Sequence, residues 1–255
     1  MTSTIFVSDI HLDVGNNTRT NLFLSFLDDI SSTASDIYIL GDLFDAWIGD
    51  DTMDRFHNVI DAFVKLSQTT NIFIVRGNRD FLLGDKFSQA ANCTVLPDEY
   101  CIKLNSKNIL VSHGDIYCTE DKAYLQFRSM VQNQQWQQDF LSKSVAEREY
   151  FAQQARAASI ENYKKLKQAQ EVTFATLYQH AIQFNADTVI HGHIHREGHV
   201  HHNFDNRTLD RFILKDWSDN KGSAVVEKDG VFKQAHYSLD KGLTVFDDVI
   251  LLNNH

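Results

Sequence analysis

The chain has few cysteines, no long apolar run and no surplus of positive charge, and each shortage excludes something. Its three cysteines, Cys93, Cys101 and Cys118, are an odd number at unrelated spacings. That excludes a disulfide framework or a thiolate zinc knot, and fits reduced, packed thiols in a cytosolic protein. No apolar stretch approaches the roughly 18–20 residues a membrane span needs. The chain enters a strand pattern almost at once, without the basic stretch and apolar region of a secretory signal, so none is expected. Its 24 basic residues are outnumbered by 34 acidic ones, for a net charge of −10. A broad nucleic-acid surface needs clustered positive charge, so no nucleic-acid partner is expected.

What is present suits an α/β fold. With 255 residues and 43% hydrophobic content, the chain can build one large domain with a sizeable insertion. Over the first 115 residues strand and helix patterns alternate. A helix is predicted near Thr20–Ser31, with Leu22, Phe23, Phe26, Leu27 and Ile30 on one face. Another is predicted near Met53–Leu66, with Phe56, Val59, Ile60, Phe63 and Val64. Such alternation implies crossover units on a largely parallel sheet. Short strands are also predicted at Thr94–Leu96, Tyr100–Leu104 and Ile109–Ser112.

Between Ile116 and Asn185 there is neither proline nor glycine, and Gln, Ala, Lys and Glu abound, which reads as several helices. The predicted organisation is a core of 1–115 and 186–255 interrupted by a helical cap at 116–185. The cap carries eight basic and seven acidic residues, so it nets +1 while the rest nets −11. A near-neutral cap on an acidic body either holds an anionic substrate or is a solvated insertion that supports the sheet. β patterns return at Phe212–Lys215, Ala224–Glu227, Val231–His236 and Thr244–Phe246, with Asp229-Gly230 as a hairpin turn signal.

Five clusters of metal-ligand residues punctuate this pattern: Asp9-Ile-His11, Gly41-Asp42, Gly77-Asn78, His113-Gly114 and Gly192-His193-Ile-His195. Each follows an apolar strand run, at Thr4–Val7, Ile37–Leu40, Ile72–Val75, Ile109–Val111 and Thr188–Ile190. Strand ends of open α/β sheets are where ligands bind. Imidazole, carboxylate and amide oxygen suit divalent Mn, Fe, Co or Zn. Seven such side chains are too many for one ion and suit two that share a carboxylate, for which Asp42 is the natural bridge. Asp9 and His11, two apart, are expected to share a face of an extended strand, and His193 and His195 to repeat that geometry. Two ions roughly 3.5–4 Å apart would orient a phosphoryl group and activate a bridging water, which describes a two-metal hydrolase.

In that order, the five blocks resemble the signature of the calcineurin-like metallophosphoesterases. Longer strings narrow the resemblance: Ser8–His11, Gly41–Asp51, Arg76–Gly84, His113–Asp115, Cys118–Arg128 and Ile190–Arg196 are similar to those of the UDP-2,3-diacylglucosamine diphosphatases of lipid A biosynthesis. The likeness covers residues 4–200. It implies a β-sandwich flanked by helices (αββα) with an inserted helical cap. It implies two Mn²⁺ ions, one on Asp9, His11, Asp42 and His195, the other on Asp42, Asn78, His113 and His193. A metal-bridging hydroxide would attack the α-phosphorus of a lipid-linked UDP-sugar, giving UMP and 2,3-diacylglucosamine 1-phosphate (lipid X) in the cytoplasm, at the inner face of the inner membrane. Catalytic roles fall to Asp42, Arg79 and His113. A different dimetal phosphodiesterase or nucleotide-sugar pyrophosphatase is the alternative; a non-catalytic scaffold would be expected to have lost ligands, and all seven are present.

One position supports a diphosphate substrate chemically. Many metallophosphoesterases carry His after the Gly-Asn pair, where it can protonate an alkoxide leaving group. Here that residue is Arg79. A phosphate monoester, with a second pKa of about 6, leaves as an anion without an acid. A guanidinium fork can instead bind phosphate oxygens, although Arg79 could also be a surface ion-pair residue.

The resemblance further implies substrate contacts at Asn78, Arg79, Asp121, Ser159, Asn162, Lys165 and His193, with Lys164 a rival to Lys165. His191 reads as a buried sheet-end histidine. Apolar cap residues such as Tyr124, Phe127, Trp136, Phe140 and Phe151 either line an acyl chamber or pack the cap on the body. Trp47 is either a rim or a core residue. Two departures stand out: Ile194 where the family has Thr, and Glu197 where it has Pro. Neither removes a ligand. The cap is also less basic than anionic membranes favour.

Overall fold

The computed structural model describes residues 2–165, 171–204, 207–246 and 250–254, and at 160–165 and 250–254 the backbone alone. The chain begins with four parallel strands, β1 (Ser3–Val7), β2 (Ala34–Leu40), β3 (Asn71–Val75) and β4 (Thr94–Leu96). They are joined through helices α1 (Asn17–Ile30), α2 (His57–Leu66) and α3 (Asp85–Ala90). Asn16 caps α1, its side chain accepting the Arg19 N–H at 3.1 Å. The helix expected near Met53–Leu66 divides into a 3-10 segment, Asp50–Phe56, and α2.

A hairpin of β5 (Glu99–Leu104) and β6 (Lys107–Ser112) follows. The chain then runs through α4 (Lys122–Val131), α5 (Gln134–Leu141), α6 (Val145–Lys165) and α7 (Phe174–Gln183). Among the described residues seven further strands follow: β7 (Thr188–His191), β8 (Gly198–Phe204), β9 (Arg207–Ile213), β10 (Gly222–Lys228), β11 (Val231–Ser238), β12 (Gly242–Val245) and β13 (Ile250–Asn254).

The strands form two sheets, the sandwich that the family resemblance implies, rather than the one largely parallel sheet that alternation alone suggests. One has the order β12-β11-β10-β1-β2-β3-β4 and the other β13-β8-β9-β7-β6-β5. The parallel expectation holds for β1–β4, and for β6, β7 and β9, but β10–β12 add antiparallel neighbours to the first sheet. Alternation along each central strand explains the layering, because successive side chains face opposite sides. Phe6, Tyr38 and Leu40 from one sheet meet Ile109, Val111, Ile190 and Phe212 from the other, and that cluster is the core between the sheets. Their neighbours Ile5, Val7, Ile37 and Ile39 face outward onto Phe23, Phe26, Val59 and Phe63 of α1 and α2. On the far side Leu110 and Val189 pack under Leu177 and Ala181 of α7. The result is a helix–sheet–sheet–helix sandwich, with strands buried on both faces as parallel segments require. Each large core side chain matters: truncating a residue such as Phe6 to Ala would cost roughly 3–5 kcal/mol.

Strand β8 has no counterpart in the sequence reading, because Gly198-His-Val-His-His-Asn-Phe204 carries histidines where strands usually show aliphatics. Pairing with β9 and stacking of His199 on Phe212 (ring centroids 3.9 Å apart) hold it in place. No described helix is long and apolar enough to cross a membrane.

Candidate metal centre and substrate cavity

The strand carrying the first ligands stops at Val7, before Asp9. Asp9 and His11 therefore do not share a face of an extended strand; both sit in a loop with left-handed backbone, at φ 54° and 53°. Asp42, His193 and His195 repeat this, at φ 51°, 67° and 52°. Asp, Asn and His tolerate this region better than other residues, yet each instance costs on the order of 1–3 kcal/mol and persists only where neighbours enforce it. Here neighbouring backbone does so. The Asp9 N–H donates to the Gly41 carbonyl at 3.1 Å, His11 N–H to Asp42 O at 2.9 Å, and Gly192 N–H to His113 O at 2.9 Å.

The glycines of the clusters make room. A Cβ at Gly77 would lie 2.2 Å from Asp42 Oδ1, and one at Gly192 would lie 2.1 Å from Asp9 Oδ2. Only glycine lets these loops approach the carboxylates so closely. Asp80, fully buried, fixes the loops to each other by accepting the N–H groups of Gly77 (2.7 Å) and Leu43 (2.7 Å).

So arranged, the seven expected ligands converge. Asn78 Oδ1 is 2.9 Å from both His113 Nε2 and His193 Nδ1, which are 3.2 Å apart. On the other side His11 Nε2 lies 3.3 Å from His195 Nε2 and 3.8 Å from Asp9 Oδ1. Asp42 faces both groups, with Oδ1 3.7 Å from His113 Nε2 and Oδ2 3.8 Å from His11 Nδ1. Asp9 also belongs to both, its carboxylate grouping with His11 and His195 and again with Asp42 and His113. Atoms that share an ion at about 2.0–2.2 Å lie roughly 3–3.5 Å apart, so these spacings are close to those of a ligand set.

Three further observations fit divalent cations. Among the described residues, Asp9 Oδ1 and His11 Nδ1 are buried with no hydrogen-bond partner; His195 Nε2 comes within 3.2 Å of Asp9 Oδ1 without the alignment of a bond. Such orphaned polar atoms are costly unless something satisfies them. Asp9, Asp42 and Asp80, exposed by 1% or less, concentrate negative charge that the buried site must neutralise. Burial raises the Asp42 carboxyl, with Asp80 and Asp9 adding to the effect; at Asp9 burial is outweighed by the surrounding imidazoles and the carboxyl is held low. Finally, burial pushes His11 down to about 2 and His193 down to about 4, so both are neutral and offer lone pairs. His113 differs: burial opposes its charge, but Asp42, Asp9 and Asp115 outweigh that and lift it to about 9. Its Nδ1 lies 2.9 Å from the Leu40 carbonyl, the outer contact that orients a ligating imidazole.

His191 stands apart. It is fully buried, and its Nε2 accepts the Arg211 Nε–H at 2.9 Å, which leaves it a sheet-end residue.

A cavity of about 590 Å³ opens from this cluster beneath α4 and α6. Its size is within the usual range for small-molecule sites. Asp42, Asn78, Arg79, Asp121, Ser159 and His193 all line it, so the sequence-derived substrate residues whose side chains are described share one space with the ligand cluster. The side chains of Asn162, Lys164 and Lys165 lie outside the described residues. Tyr124, Phe127, Phe140 and Phe151 form its apolar walls. Trp47 is 2% exposed, packs in the core with its ring tilted on Phe44 and edge-on to Phe87, and also lines the cavity. Asp121 also caps α4, accepting the Tyr124 N–H at 2.9 Å.

The sequence reading missed Asp45, Arg156 and Arg148. Asp45 pairs with Arg79 Nη1 at 2.9 Å and also with Arg156 of α6, at the mouth of the site. Buried Arg148 donates to the Ile48 carbonyl (2.7 Å) and to Asp51 (2.8 Å), anchoring α6 to the body. Asp45 and Asp51 lie within a string already singled out, but spacing alone does not separate an ion-pair carboxylate from a ligand.

Comparison with known proteins agrees with this geometry. The profile of the family described as "Calcineurin-like phosphoesterase" matches residues 2–197. A protein of Stenotrophomonas maltophilia named UDP-2,3-diacylglucosamine hydrolase is 37% identical over 238 residues, covering 89% of this chain and 96% of that one. One from Xanthomonas campestris pv. campestris with the same name is 38% identical over 239 residues, covering 90% and 97%. Two buried loops that converge on Asp42, a histidine-rich loop opposite, and relatives matched over nearly their whole length place the chain in the calcineurin-like phosphoesterase family.

Proposed function

We propose that the protein hydrolyses the diphosphate of UDP-2,3-diacylglucosamine to UMP and 2,3-diacylglucosamine 1-phosphate, in lipid A biosynthesis. The observation that carries this reading is the cavity, which joins the seven-residue ligand cluster and Arg79 at one end to an aromatic, apolar chamber at the other. A diphosphate linked to acyl chains has that distribution of polarity. The shared name of the relatives supports the same substrate.

Two divalent ions, which we infer to be manganese, would be held by Asp9, His11, Asp42 and His195, and by Asp42, Asn78, His113 and His193. When bound they supply Lewis acidity at the phosphoryl group and a water of lowered pKa. The chain's own residues do the rest. Arg79, whose guanidinium is braced by Asp45 and Asp42, binds non-bridging phosphate oxygens and gathers charge as the bond to the leaving phosphate breaks. Water attacks the α-phosphorus, and the sugar 1-phosphate leaves as an anion that needs no proton. His113, fixed by the Leu40 carbonyl, and Asp42, held by the Arg79 N–H at 2.9 Å, keep the reacting groups in place. Asp121 would meet the glucosamine or its phosphate region, and Ser159 the cap side of the pocket; Asn162 and Lys165, assigned to that same side from the sequence, have side chains outside the described residues.

Residues 116–185 are the cap insertion in this reading. Within it α4–α6 form the substrate-facing part, while α7 packs on the second sheet. Half-exposed Met130 and Leu141 on the cap, at 41% and 42%, are consistent with peripheral contact at the cytoplasmic face of the inner membrane, where a diacylated substrate resides. The test compares turnover by metal-loaded protein of UDP-2,3-diacylglucosamine, UDP-glucose and a bis-nitrophenyl phosphodiester. The acylated compound is expected to be strongly preferred; preference for either unacylated one overturns the substrate claim.

A further inference from the structure

His113 and His193 are oriented differently. The outer nitrogen of His113 faces the Leu40 carbonyl at 2.9 Å. Among the described residues, the polar contacts of the His193 ring are all at Nδ1, towards Asn78 and His113. Its backbone N–H is held by Asp9 Oδ2 at 2.9 Å, and its ring is held by those Nδ1 contacts together with packing. Among the described residues two rings pack on it: that of His113, centroids 5.0 Å apart at 71°, and on the cap side that of Tyr124 of α4, centroids 5.8 Å apart at 36°.

Tyr124 is itself pinned. Its hydroxyl donates a short hydrogen bond to Asp115 Oδ2, and the Arg128 Nε–H donates to the same oxygen at 2.8 Å. Tyr124 and Arg128 are four residues apart on α4 and so share a face. Asp115, exposed by 6%, directly follows His113-Gly114. One carboxylate thus joins the loop bearing one expected ligand to the helix that packs on another.

We propose that Asp115, Tyr124 and Arg128 couple the cap to the metal site, with Tyr124 acting as a positioning residue for His193. This rests on the dimetal reading for its purpose, though not for its geometry. Displacing α4 lifts the Tyr124 ring from His193 and lets that imidazole rotate away from Asn78. Cap position and the second ion site are then linked, so that whatever seats α4 also tightens the site. Outer contacts of this type typically set metal affinity by about 10- to 100-fold.

The test uses Tyr124→Ala, Tyr124→Phe and Asp115→Asn in the full chain, with manganese titration followed by electron paramagnetic resonance. Tyr124→Ala and Asp115→Asn are expected to weaken one of the two ions, the one that His193 holds, by about 10- to 100-fold, with the other unchanged. Tyr124→Phe, which keeps the ring and loses the hydroxyl, is expected at the low end, about 10-fold. A second readout needs no ion: amide hydrogen exchange across residues 192–196 of metal-free protein should quicken in Tyr124→Ala. A merely structural role would lower the melting temperature but leave both the second-ion affinity and that local exchange as in wild type, and this result overturns the proposal. Wild-type protein that binds fewer than two ions counts against the dimetal reading alone, and the exchange experiment then decides the coupling by itself. If Tyr124→Ala does not fold, Tyr124→Phe and Asp115→Asn decide it.

Discussion

Arg79 grips Asp42 twice: its backbone N–H donates to Oδ1 at 2.9 Å, and its guanidinium Nε lies 3.4 Å from Oδ2. The first contact orients the central carboxylate whatever the side chain. The second places a permanent positive charge beside the expected position of the phosphate. The two functions are therefore separable by substitution.

Arg79→Ala should keep the metal content of wild type, because the N–H remains, while lowering kcat/KM on the diphosphate by about 10²–10³, as for loss of one transition-state donor. Arg79→Lys should not restore it, since an ammonium lacks the planar fork. Elemental analysis and steady-state kinetics on the same preparations check both halves; loss of metal in Arg79→Ala would refute the division.

Asp42→Ala removes the carboxylate that faces both ligand groups. In wild type, manganese at 100 times its Kd should stabilise the fold by about 2.7 kcal/mol through mass action. In Asp42→Ala that gain should disappear, together with activity. Thermal unfolding with and without manganese provides the measurement, and a retained metal-dependent rise in Tm would show that Asp42 is not shared.

Arg148, 2% exposed, ties α6 to the body through Ile48 and Asp51. Arg148→Ala leaves the Ile48 carbonyl without its partner, which costs about 1–3 kcal/mol. Part of the Asp51 pairing is at the surface, so screening keeps the loss in that range. Denaturant unfolding would show it, with KM for the acylated substrate rising more than KM for UDP-glucose.

Acid stability has an identifiable source away from the site. At Asp210 burial favours the neutral acid, but hydrogen bonds from His199 and His201 outweigh it and hold the carboxyl down to about 2. A carboxyl depressed in the folded state stabilises above its unfolded value, about 3.9, and that contribution is lost as pH falls through the folded value. Asp210→Asn should thus destabilise the protein near neutral pH by on the order of 2 kcal/mol and flatten the decline between about pH 4 and pH 2. Equal slopes for wild type and variant in that window would contradict the assignment.

Much of this architecture was legible in the sequence, for a physical reason. The strands that carry ligands are buried on both faces and so read as continuous apolar runs, and each ends where a Gly, Asp or His must turn the backbone. The local geometry was less legible. Asp9-Ile-His11 reads as a strand pair two residues apart, but both residues adopt left-handed backbone that only tertiary contacts with Gly41 and Asp42 enforce. Strand β8 was hidden because its histidines are stabilised by Asp210 and Phe212, partners supplied by another strand. The split into two sheets was absent from local pattern for the same reason: Phe6 and Ile5 look alike in sequence, and only their facing clusters distinguish them. Asp45 and Arg156 were missed because an ion pair between residues 111 positions apart leaves no spacing to read.

The central claim is that water attacks the α-phosphorus of an acylated UDP-sugar. Turnover of UDP-2,3-diacylglucosamine by manganese-loaded protein in ¹⁸O-water, analysed by mass spectrometry, tests it most directly. The account predicts one ¹⁸O in UMP and none in the diacylglucosamine 1-phosphate. Label in the sugar phosphate, or no turnover by protein carrying two ions, would contradict it.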